Sequence, residues 1–105
     1  MDRETMPNIL EVASLTVRPG QETAFEAAMR SARPLIEVSS GFSGITLRRC
    51  IETPNRYLLL VSWNAIEDHT VGFRQSDRYR KWGELLHPFY DPFPMVEHYE
   101  EVLPL

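Results

Sequence analysis

The chain has 105 residues, 43% of them hydrophobic, which suits one domain able to bury roughly two-thirds of its unfolded surface. Eleven Lys and Arg against fifteen Asp and Glu give a formal net charge of -4, with none of the clustered cations that phosphate neutralisation needs, so a nucleic-acid partner is not expected. A single cysteine, Cys50, excludes an internal disulfide and a multi-thiolate metal centre and fits a reducing compartment.

The opening "MDRETMPNILEV" places charges where a secretory signal would carry its apolar core. No window approaches the roughly 20 apolar residues of a membrane span, so the expectation is a cytoplasmic protein with no membrane contact. "NILEVASLTV", residues 8–17, reads as a strand ended by the turn residues of "RPGQE". Ala24, Phe25, Ala28, Met29 and Ala32 then line one side of an amphipathic helix, which Pro34 is expected to kink or end because it has no amide hydrogen.

After a loop at "SSGF", "SGITLRRCIE" sets Ile45, Leu47, Arg49 and Ile51 against Thr46, Arg48 and Cys50, the alternation of a half-exposed strand. "TPN" supplies a turn, and "RYLLLVSW" should return antiparallel as the second arm of a hairpin. "AIEDHTVGFRQ" and "SDRYRKWGELLHPFY" read as helical, with Ser76 capping the second. Pro88, Pro92 and Pro94 close that region, and "MVEHYEEV" alternates as a last strand.

The order β-α-β-β-α-β predicts an α+β, ferredoxin-like domain, a four-stranded antiparallel sheet with both helices on one face. It is expected to fill residues 1–105 as one domain, with its core over about 8–102. The first and third strands should be central, and both are apolar on both faces. Helices cover only one face, so the other is an expected interface, most simply with a second copy of the chain in a homodimer.

Three stretches carry a resemblance to a known family: "LTVRPGQETAFEAAM", "GFSGITLRRC" followed by "RYLLLVSWNAIEDHTVGF", and "SDRYRKWGELLHPF". In order and spacing they resemble the antibiotic biosynthesis monooxygenase-like domains, within the dimeric α+β-barrel proteins. The resemblance implies a dimeric barrel and, in several branches, oxygenase chemistry; fold by itself does not fix function. Haem-degrading members carry an asparagine on the first strand and a histidine ligand in the last helix, where this chain has Ala13 and Gly83, with His87 one turn further on. The polyketide branch places a polar residue about a turn before the strand-end tryptophan, where this chain has Leu58 and Leu59.

Several residues are candidates for a site. Trp63 could wall an aromatic ligand with a free indole N–H, or be ordinary core. His69, beside Glu67 and Asp68, is the candidate general base, or part of a solvated helix start whose acids complement the helix dipole. His87 reads as a helix cap that could also reach a ligand, and His98 could face either inward or outward. Three histidines without tight spacing do not make a metal site, so no metal is expected.

Phe73, Tyr79 and Trp82 could line an aromatic cavity, and Arg48 or Tyr57 could hold an oxyanion. No phosphate loop, nucleophile elbow, flavin fingerprint or nicotinamide fingerprint is present. The expected function is a cofactor-independent monooxygenase oxidising a small electron-rich phenol, hydroquinone or anthrone with O2. The alternative is a non-catalytic dimer that binds or senses a small apolar molecule.

Overall fold

A computed structural model describes residues 8–105, so the charged stretch before Asn8 lies outside the described residues. Strand β1 (Ile9–Thr16) leads through a turn to helix α1 (Glu22–Glu37), then to β2 (Phe42–Arg49) and β3 (Arg56–Trp63). A π-helical turn over Asp68–Phe73, helix α2 (Asp77–Leu86), a 3-10 turn at His87–Phe89 and β4 (Val96–Glu100) complete it. The strands form one antiparallel sheet in the order β2-β3-β1-β4, which makes β1 and β3 central as the sequence predicts.

Alternation decides which side chains meet the helices. Ala13 and Leu15 of β1 and Tyr57, Leu59, Val61 and Trp63 of β3 are buried there against Phe25, Met29, Ala32 and Ile36 of α1. Trp82 and Leu86 of α2 complete the core. Arg78 joins the helices by donating to the Leu35 carbonyl at 2.8 Å and to Ser39 Oγ at 2.6 Å. On the opposite face Leu10, Val12, Leu58 and Leu60 form an apolar patch with no helix over it among the described residues.

Three local expectations change. Helix α1 runs through Pro34 to Glu37, because the proline sits in the last turn, where it removes one backbone bond, and Ile36 beyond it is anchored in the core. Strand β2 stops at Arg49, and Ile51 is 91% exposed in the bend that follows. The first helical piece after β3 is a π-turn, in which the Arg74 N–H donates to the His69 carbonyl at 2.9 Å.

Candidate functional site

The π-turn, β1, β3 and β4 bring four side chains together at the sheet end of a cavity of about 310 Å³. His69 and Phe73, four residues apart in the π-turn, both point inward and are buried. His69 is 2% exposed, which removes the solvated helix-start reading. Its ring stacks on Trp63 with centroids 5.3 Å apart and planes 20° apart.

Trp63 therefore lies behind the histidine as a second layer. Its Nε1–H is not free for a ligand, because it donates to Glu11 Oε1 at 2.9 Å. Glu11, a buried carboxylate on central strand β1, also lies 3.3 Å from His69 Nε2 through the same oxygen. His98 stands directly opposite Glu11 on β4 and faces inward, with its Nε2 2.7 Å from His69 Nδ1.

Burial dominates the electrostatics. It pushes Glu11 up, against the lowering effects of the Trp63 hydrogen bond and of Arg74. It pushes His69 down to about 3, helped by the positive field of Arg74 and by His98. His98 and His87 are lowered as well, again first by burial. Both rings of the His69–His98 contact are thus neutral at physiological pH.

The rest of the cavity is lined mostly by aromatic and aliphatic side chains. Phe73, Tyr79, Trp82, His87, Tyr90 and Phe93 line it together with Arg74, the cation on its wall, and Ala13 and Leu59 on the sheet side. Phe73 packs edge-on against Tyr79 at 5.5 Å and Trp82 at 5.6 Å, so the wall is held by ring contacts. Burial keeps the Tyr90 hydroxyl protonated by raising its pKa. His87 caps α2 through its backbone N–H, which donates to the Gly83 carbonyl, while its ring lies over Gly83, where a Cβ would fall 2.9 Å from the imidazole, and meets Phe93 edge-on at 4.8 Å.

Phe73, Tyr79, Trp82 and His87 thus share one cavity with His69, while two other candidates lie elsewhere. Arg48 alternates to the open face of the sheet, next to Leu58 in the β2–β3 register, and cannot reach the helix side. Tyr57 lies on the helix side but in a separate groove of about 450 Å³ between α1 and β2. There its hydroxyl donates to Glu26 at 2.6 Å, and burial with that carboxylate raises its pKa to about 12. Leu59 lines both hollows.

Sequence reasoning did not single out Glu11 or Arg74. The available signal for Glu11 was an acid within the central strand "ILEVASLT", where a carboxylate must find donors or be neutralised. The arrangement does not suit a metal, since the His69 and His98 nitrogens face each other at hydrogen-bond distance with no space for a cation. A haem does not fit either: Ala13 offers no polar group, Gly83 no ligand, and His87 is wedged among Tyr79, Tyr90 and Phe93.

Known proteins share both the sequence and the fold. An uncharacterized protein of Bacillus subtilis strain 168, YczJ, is 47% identical over 94 residues, spanning 90% of this chain and 99% of that protein. A Bordetella bronchiseptica protein called a "putative antibiotic biosynthesis monooxygenase" is 41% identical, with a TM-score of 0.89 over 92% of this chain and 99% of that one. A variant of SnoaB, a cofactor-independent oxygenase from Streptomyces nogalater, aligns with a TM-score of 0.73 at 17% identity over 93% of this chain and 94% of that one, a likeness of fold alone. The family model described as "Antibiotic biosynthesis monooxygenase" matches residues 8–85. Its match, together with the 47% and 41% identical relatives, means that the chain belongs to the antibiotic biosynthesis monooxygenase family.

Proposed function

We propose that the protein is a cofactor-independent monooxygenase acting on a small electron-rich phenol, hydroquinone or anthrone. The observation that carries this reading is a buried, uncharged histidine backed by a carboxylate at the wall of a cavity lined mostly by aromatic and aliphatic side chains. The cavity volume lies at the small end of ligand sites and suits a compact planar molecule. For a phenol with a free para position, the buried centre removes the hydroxyl proton and Arg74 faces the resulting oxyanion. The para carbon then gives electrons to O2 and forms a peroxide. Loss of the para C–H proton and cleavage of the O–O bond leave a quinone and water, with one oxygen atom in each.

The test is oxygen uptake with mass analysis of products over a panel of anthrones and hydroquinones, comparing wild type, His69→Ala and no enzyme. Uptake above the spontaneous rate, reduced about 10²–10⁴-fold in the variant, is the expected result. Full activity in His69→Ala would remove His69 from the mechanism. Tight binding of the same compounds without uptake would favour the non-catalytic alternative, which is supported by the apolar Ala13 and Leu59 on the cavity wall, at positions where the family resemblance implies polar groups.

The partner proposed is a second copy of the chain, packed through the open sheet face. Leu10, Val12, Leu58 and Leu60 support it, since a sheet with helices on one side leaves such a patch to be covered by something else.

A further inference from the structure

In the His69 cavity both ring nitrogens of the histidine face protein atoms. Its Nδ1 lies 2.7 Å from His98 Nε2, and its Nε2 lies 3.3 Å from Glu11 Oε1. Glu11 differs. Its Oε1 takes the Trp63 indole N–H and the His69 contact, while Oε2 has no hydrogen-bond partner among the described residues and the carboxylate borders the cavity. Indole and guanidinium groups only donate, so of the charged and indole groups at this end of the cavity Glu11 alone can take up a proton.

The surrounding groups orient that carboxylate. An N···N hydrogen bond holds one proton, so the His69–His98 contact ties the tautomer of one ring to that of the other. With the His98 Nε2–H donating to His69 Nδ1, the His69 proton sits on Nε2 and faces Glu11. His98, His69 and Trp63 then direct their positive ends, in sequence, toward one carboxylate oxygen and leave the other for a ligand. Glu11 and His98 are register partners on neighbouring strands, and the π-turn lowers His69 between them.

We propose that Glu11 is the catalytic residue that takes the hydroxyl proton of the substrate, and that His98 is a positioning residue that fixes the His69 tautomer behind it. This deepens the oxygenase reading above and rests on it. The substrate O–H bond breaks, an O–H bond forms at Glu11 Oε2, and the electron pair stays on the substrate oxygen. O2 is the oxidant, and Glu11 returns the proton to the peroxide that O2 forms, which restores the carboxylate.

The test uses 4-nitrophenol, a one-ring phenol whose phenolate absorbs in the visible, added in mildly acidic buffer to wild type, Glu11→Gln, His98→Gln and His98→Leu. Infrared difference spectra read the carboxyl group, and visible spectra read the probe. Wild type should show bound phenolate together with gain of a protonated-carboxyl C=O band and loss of a carboxylate band. Glu11→Gln should lose that gain. His98→Gln, which can still donate to His69 Nδ1, should keep it, and His98→Leu, which cannot, should lose it. Nitrogen-15 spectra should place the His69 proton on Nε2 in wild type and in His98→Gln but not in His98→Leu.

Bound phenolate without a carboxyl change, a bound neutral probe, or an unchanged band in Glu11→Gln would overturn the assignment of Glu11. Equal behaviour of the two His98 variants would overturn the positioning role. Failure of 4-nitrophenol to bind while the His69 tautomer is as stated would instead count against the aromatic-ligand reading of the previous section, and would leave the carboxylate and its two histidines as a structural network.

Discussion

At the scale of single residues, the neutrality of His69 has a measurable effect on stability. An unfolded histidine takes its proton near 6.5, whereas burial, Arg74 and His98 push His69 down to about 3 in the fold. Between those values the unfolded chain binds a proton that the folded chain refuses, so this residue makes stability fall as pH drops through that window. Glu11 acts with the opposite sign, because its raised pKa lets the folded state hold a proton the unfolded chain has released. In His69→Gln the acid loss belonging to the histidine disappears. Urea midpoints at about pH 7 and about pH 4.5 should therefore differ less in the variant than in wild type. An unchanged difference would mean that His69 titrates like an exposed histidine.

At the scale of elements, the turn between β3 and the π-turn depends on Gly41. Its φ of 81° is a conformation that side-chain-bearing residues avoid, and a Cβ there would run into the Asp68 carboxylate. That carboxylate in turn accepts the Ala65 N–H at 3.1 Å at the start of the segment that carries His69. Gly41→Ala should cost about 2 kcal/mol or more in urea unfolding, from backbone strain and the displaced Asp68. A cost near zero would show that the turn adjusts freely. Regular elements such as β3 were readable because alternation and turn chemistry agree over "TPNRYLLLVSW". The π-turn was not, since "DHTVGF" has the same apolar spacing in an α-helix and only packing selects the wider turn. Phe73, Tyr79 and Trp82 could be picked out as an aromatic set and His87 as the cap at the end of α2. Glu11 facing His98 could not, because the β1–β4 register comes from long-range pairing.

At the scale of the whole molecule, the sheet divides the chain's tasks between its two faces. The helix side holds the core and the cavity, and the other side presents Leu10, Val12, Leu58 and Leu60. If a second copy covers that patch, Leu60→Lys should shift the mass measured by light scattering from dimer to monomer while the helix-side core stays intact. A charge at the centre of an apolar interface of about 800 Å² per partner is costly, and neither copy offers it a counter-charge among these four residues. An unchanged mass would place any partner elsewhere.

Leu59 ends its side chain between two hollows, the aromatic cavity around His69 and the arginine-rimmed groove beside Tyr57. A shorter residue at this position would open one into the other without touching Glu11, His69 or His98. On the oxygenase reading proposed above, Leu59 is thus the partition that limits how far a bound molecule can extend from the His69 end, and the space beyond it is rimmed by Arg30 and by Arg33 and Arg49, which already pair with Glu37 and Glu26.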